Sequence, residues 1–121
     1  MLKVSIVIST YNRSSYICEA IDSVLKQDFK NFEIIVVDDG STDNTKEVLS
    51  KYKNIRYIYQ ENNVRSEARN AGIKAASAEY VAFLDDDDIW LEGKLYKQVV
   101  FLDSHPETGL VHTFSEVVDE D

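Results

Sequence analysis

Short apolar runs alternate along this chain with segments of helical periodicity, and that alternation restricts its fold more than any other feature. Val4 to Ser9, Ile34 to Val37 and Tyr80 to Leu84 are runs of strand length, β-branched or aromatic, without the polar alternation of a strand that faces water on one side. Ile55 to Tyr59 alternates less cleanly and reads as a further strand. Between the first two runs, Ile17, Ala20, Ile21, Val24 and Leu25 recur at the spacing of an amphipathic helix within Tyr16 to Gln27, with Ser14 or Ser15 as expected caps. A helix carrying Val48 and Leu49, with cap candidates from Ser41 to Asp43, follows the second run. A small-residue helix from about Ser66 to Ala76 precedes the last run, and Leu95, Val99 and Leu102 mark a final helical face that Pro106 helps to end. Gly109 to Phe114 is expected as a fifth strand. Strands alternating with helices imply an α/β, three-layer α/β/α fold with a mostly parallel sheet and right-handed crossovers. The 121 residues make one domain, 1–121.

In open parallel sheets, ligands bind outside the carboxyl ends of the strands. Those ends carry the polar signals here: STYNR after the first run, DDGSTD after the second and DDDD after the fourth. Four consecutive aspartates, Asp85 to Asp88, need compensation. Two carboxylates about 4 Å apart repel by about 1 kcal/mol in water and about 4 kcal/mol at an effective dielectric near 20. A divalent cation such as Mg2+ or Mn2+ supplies it, since both prefer carboxylate oxygens. The competing reading is a solvated acidic loop capping the helix near Leu91, and the position at the end of a buried strand favours the cation. Asp38 and Asp39 before Gly40 offer a carboxylate to a base N–H or a ribose hydroxyl, or else cap a tight turn. Tyr11 either stacks on a base or simply packs. Arg65 and Arg69 share a helix face and meet a diphosphate, or else lie solvated beside Glu61 and Glu67.

Charge narrows the partners. With 22 acidic against 13 basic residues, a net charge of −9, nucleic acid and anionic membrane surfaces are excluded as nonspecific partners. Cys18 is the single cysteine and falls among the apolar residues of the first helix, as a buried thiol in a reducing compartment does. No run approaches the length of a membrane span, and MLKVSIVIST lacks a cleavage site, so a cytoplasmic location is expected. His105 and His112 have no ligand spacing, and the glycine-rich dinucleotide loop, the P-loop and the EF-hand loop are all missing from the sequence.

Taken together and in order, VSIVISTYNR, IIVVDDGSTDNT, ENNVRSEARNAGI and AEYVAFLDDDDIW resemble the nucleotide-sugar-binding half of family 2 glycosyltransferases with the Rossmann-like GT-A fold. The resemblance covers almost the whole chain. It implies a nucleoside diphosphate sugar donor, most often UDP-linked, with Mn2+ or Mg2+ bridging the diphosphate to a D-x-D type motif. Asp87 then corresponds to the metal ligand, with Asp85 or Asp86 near the ribose. Asp39 is similar to the carboxylate that reads the base, Tyr11 to the residue against it and Arg69 to the basic group near the phosphates, with Thr10 and Asp38 in support. Two glycines usual in the family are replaced, at Ala78 and near Val64 and Arg65. Family members continue into an acceptor-binding half that carries the catalytic base, which deprotonates a saccharide or lipid-linked acceptor for inverting attack. The chain is therefore expected to be the donor half of a truncated enzyme, with an apolar surface open to self-association. A non-catalytic nucleotide- or metal-binding module is the alternative. A phosphoacceptor receiver domain ranks below both, because the first strand ends in Ser-Thr-Tyr-Asn rather than an acidic pair.

Overall fold

The computed structural model describes residues 1–61 and 65–112, the side chains of residues 65 and 66 excepted. Its elements in chain order are β1 (Val4–Thr10), α1 (Ser14–Leu25), β2 (Phe32–Asp38), α2 (Thr45–Leu49), β3 (Ile55–Tyr59), α3 (Arg65–Ala75), β4 (Tyr80–Asp85) and α4 (Lys94–Ser104). The described strands form one sheet in the order β3-β2-β1-β4, and every pairing is parallel. The chain winds outward from β1 to β3 and then crosses back to β4, so the strand order reverses between β1 and β4. A crevice at such a reversal is where doubly wound sheets place their ligands.

Both faces of the central strands are covered, which is why β1 and β2 read as unbroken apolar runs. On one face Ile6, Ile8 and Ile34 pack with Ile17 and Ile21 of α1, Leu49 of α2 and Leu95 of α4. On the other, Ile35 and Val37 pack with Ala68 of α3, and Ala71 and Ala75 lie against them. β3 is an edge strand and only partly buried, which accounts for its weaker pattern.

The small residues of α3 let that helix sit close to the sheet. A Cβ added at Gly72 would lie 2.3 Å from Cγ1 of Val7, a β-branched side chain with little rotamer freedom. The overpacking cost of about 1–3 kcal/mol outweighs the ~1 kcal/mol that alanine gains over glycine in a helix. Gly72→Ala is therefore expected to lower the midpoint of urea unfolding. An unchanged or raised midpoint would show that α3 lifts off the sheet without cost.

Several local expectations are corrected. Ser14 and Ser15 lie inside α1 rather than capping it, with Arg13 at the N-cap position and making no side-chain cap bond. The Ser14 N–H is instead accepted by Asp43 of the neighbouring loop at 3.3 Å. At α2 the N-cap position falls on Asn44, and Asp43 accepts the Thr45 N–H at 3.1 Å. α1 also stops at Leu25, before Gln27. α4 ends at Ser104 because His105 precedes Pro106, and its φ of −131° and ψ of 71° have left the helical region, as the residue before proline is driven to do. Of the expected fifth strand, residues 109–112 are not in a strand, and Thr113 and Phe114 lie outside the described residues.

Candidate functional site

Parallel register brings the strand ends to one edge: Thr10 pairs with Asp38, Ser9 with Asp85, and Asp38 with Tyr59. Beyond β4 the chain turns sharply, the Asp88 N–H donating to the Asp85 carbonyl at 3.0 Å. That turn divides the four aspartates. Asp86 points inward, only 6% exposed, and accepts the Thr10 hydroxyl at 2.8 Å. Asp85, Asp87 and Asp88 gather outside, with carboxylate oxygens within 4.8 Å of one another.

Two of the four aspartates carry an arginine counter-ion. Arg69 Nη2 lies 3.1 Å from Asp85 Oδ1, and Arg13 Nη1 lies 3.1 Å from Asp87 Oδ2. Burial raises the Asp86 pKa, and the Thr10 hydroxyl opposes that rise. Asp88 has no such donor to offset the rise; desolvation and then the charges of Asp85 and Asp87 push its carboxyl up. Three carboxylates at one turn, Asp85 half-buried and Asp87 and Asp88 exposed, are a hard-oxygen donor set, and they fit Mg2+ or Mn2+ rather than a soft metal.

Across the crevice, Asp39 is 7% exposed. Its N–H donates to the Thr10 carbonyl at 2.9 Å, and its Oδ1 accepts from Gln60 Nε2 at 3.0 Å. Asp38, 1% exposed, is occupied within the protein. It accepts the Ser41 N–H at 2.9 Å and the Tyr57 hydroxyl at 2.5 Å. Burial and then Asp38 push the Tyr57 hydroxyl pKa up. Gly40 takes a φ of 90° at this turn, a value that a residue carrying a Cβ resists.

A cleft of about 300 Å³ lies between the loops, lined among others by Thr10, Tyr11, Arg13, Asp39, Ala68 and Asp86. Tyr11 stands at its rim, 45% exposed. Of the residues singled out from sequence, Thr10, Tyr11, Asp39 and Asp86 meet at this cleft. Asp38 sits behind it. Asp85 and Asp87 form its acidic flank, with Arg69 paired to Asp85 and 5.6 Å from the Phe83 ring centre. The Arg65 side chain lies outside the described residues.

Asp88, read from sequence as part of the aspartate run, joins the cluster because an i to i+3 turn returns it to Asp85. Three residues here escaped the sequence reading. Arg13 pairs with that cluster, and Gln60 orients Asp39. Asn12, with a φ of 51°, accepts the Thr42 and Asp43 N–H groups at 2.8 and 3.3 Å and donates its own N–H to Ser41 Oγ at 2.8 Å. It ties the Tyr11 loop to the Asp39 loop. Asparagine tolerates this left-handed backbone, a cue that was available in the sequence.

A larger cleft of about 520 Å³ lies away from the strand ends, between α1 and Ile89, Trp90 and Glu92. His105 stacks on Phe101 with ring centroids 4.1 Å apart. Among the described residues, no helix is long and apolar enough to cross a membrane.

Comparison with known proteins gives this arrangement its context. The chain is 41% identical over 104 residues, 84% of its length and 41% of the relative's, to the UDP-Glc:α-D-GlcNAc-diphosphoundecaprenol β-1,3-glucosyltransferase WfaP of Escherichia coli. It superposes on Staphylococcus aureus TarS 1-349 in complex with UDP with a TM-score of 0.81 and 38% identity, covering 87% of this chain and 33% of that one. Glucosyl-3-phosphoglycerate synthase of Mycobacterium tuberculosis, solved with Mn2+, UDP and glucosyl-3-phosphoglycerate, matches with a TM-score of 0.61 and 26% identity over 70% of this chain and 33% of that one. The chain spans between 17% and 41% of the length of such curated relatives. The fold is the GT-A fold of these neighbours. Residues 5–121 match Glycosyl transferase family 2, and the chain belongs to that family.

Proposed function

We propose that this domain binds the donor of an inverting, metal-dependent glycosyl transfer, a nucleoside diphosphate sugar that is most simply UDP-linked. The observation that carries the reading is the cleft at the strand reversal, which has Tyr11 and Asp39 at one end and the acidic turn at the other. Tyr11 covers the base, and Asp39, held by Gln60, accepts from a base N–H. Asp85, Asp87 and Asp88 would hold Mn2+ or Mg2+, with Asp86 fixed beneath them by Thr10. When bound, such a cation neutralises the diphosphate leaving group as the sugar–oxygen bond breaks. The acceptor, a saccharide or lipid-linked hydroxyl, would be activated by a general base that no described residue supplies. WfaP and the UDP complex of TarS support UDP, and the Mn2+ complex of the mycobacterial synthase supports the metal. A cytoplasmic setting, which keeps the Cys18 thiol reduced, fits this reading.

Calorimetric titration of UDP into the purified chain, once with Mn2+ and once with EDTA, tests it. Binding heat that needs the metal is the expected result. Equal heat in both runs, or none in either, would overturn the metal-bridged donor site.

A further inference from the structure

We propose that Arg13 is a donor-phosphate residue that serves as the counter-ion of Asp87 until a divalent cation replaces it; the inference rests on the donor-binding reading above. Arg13 occupies the N-cap position of α1. Its guanidinium is 3.1 Å from Asp87 Oδ2 and 5.9 Å from the centre of the Tyr16 ring. It lines the cleft beside Tyr11 and Asp39 and is the one basic residue that does so among the described residues. Arg69, the cation that sequence reasoning favoured for the phosphates, does not line it and is paired with Asp85.

Geometry then decides between the two arginines. A nucleoside diphosphate carries its phosphates from the base side toward the metal, and Arg13 both lines the cleft with Tyr11 and pairs with Asp87. The ligand adds negative charge to a cleft that already holds Asp39 and Asp86, so a positive group at that point is required. A divalent cation on Asp87 competes with Arg13 for the same carboxylate and repels it. The Arg13 side chain is 44% exposed, so it has room to turn, and a guanidinium meets phosphate oxygens with two parallel N–H donors.

The test compares Arg13→Gln and Arg13→Lys with the unsubstituted chain in three calorimetric titrations: MnCl2 alone, UDP at saturating Mn2+, and uridine at saturating Mn2+. Removing a partly exposed competing ion pair should tighten Mn2+ binding alone about twofold to fivefold in Arg13→Gln. Losing charged hydrogen bonds to phosphate should weaken UDP binding about tenfold, while uridine binding stays unchanged. Arg13→Lys keeps the charge without the fork, so its Mn2+ affinity should stay near that of the unsubstituted chain while UDP affinity falls to an intermediate value. Mn2+ binding that is unchanged or weaker in Arg13→Gln overturns the counter-ion role. Equal losses for UDP and uridine overturn the phosphate role and leave Arg13 shaping the loop. Full UDP affinity in Arg13→Gln overturns the inference alone, whereas no UDP binding by the unsubstituted chain overturns the donor reading as well.

Discussion

Asp87→Ala should remove the metal-dependent part of UDP binding and leave the fold intact. Asp87 is one of three carboxylates whose oxygens lie within 4.8 Å of one another, and its side chain is 46% exposed. Partners that merely orient a metal ligand change affinity about 10- to 100-fold when lost, so losing a ligand should cost more than about a hundredfold. Stability should hardly move, because a surface substitution away from core and caps usually stays within about 0.5 kcal/mol. Loss of the Arg13 pair is also offset by relief of repulsion from Asp85 and Asp88. The check is Mn2+-supported UDP titration beside urea unfolding of the same variant. Mn2+-dependent heat that survives in a folded Asp87→Ala would place the cation elsewhere.

The separate outcomes expected for neighbouring aspartates show where sequence reasoning reached and where it stopped. β1 and β2 were legible because a strand covered on both faces has little room for polar side chains; β4, at the sheet edge with Val81 and Phe83 exposed, was legible only because its own run is apolar. In a parallel sheet the loops after those strands must share an edge, so Thr10, Asp39 and the aspartate run could be assigned to one place. The order of the strands was not legible. Nothing local to Tyr80–Asp85 states that it lies beside β1 rather than β3, since that choice depends on how α3 crosses the sheet. Spacing along an extended chain puts Asp86 with Asp88 on one side, but the turn closed by the Asp88 N–H returns Asp88 to Asp85. Capping rules pointed to Ser14 and Ser15, and Asp43 from another loop took the donor instead. Arg13, Asn12 and Gln60 were missed for the same reason: each acts on a residue of a different loop, and a sequence pattern records only neighbours.

Thr10→Val should be among the most destabilising substitutions at the site although it keeps the shape of the side chain. Thr10 is 3% exposed, and its hydroxyl is the 2.8 Å donor to the buried Asp86 carboxylate. Removing a donor from a buried charge costs about 1.5–3 kcal/mol near neutral pH, because the desolvated acceptor loses its partner. The pH dependence identifies the cause. Burial already holds the Asp86 pKa above the ordinary aspartate value, and the Thr10 bond opposes that shift, so the valine variant raises it further. A folded-state pKa above the unfolded one means that the native protein binds the proton more readily, and native stability falls as pH rises through the folded value. The gap between variant and unsubstituted chain should therefore be full at neutral pH and shrink on acidification as Asp86 takes up its proton. Urea unfolding at several pH values measures it. A gap of constant size across the acid range would mean that the cost comes from packing rather than from an unpartnered carboxylate. Asp86→Asn in the valine background settles the origin independently: neutralising the buried group should recover much of the lost stability if charge is the cause, and none if the cavity wall is.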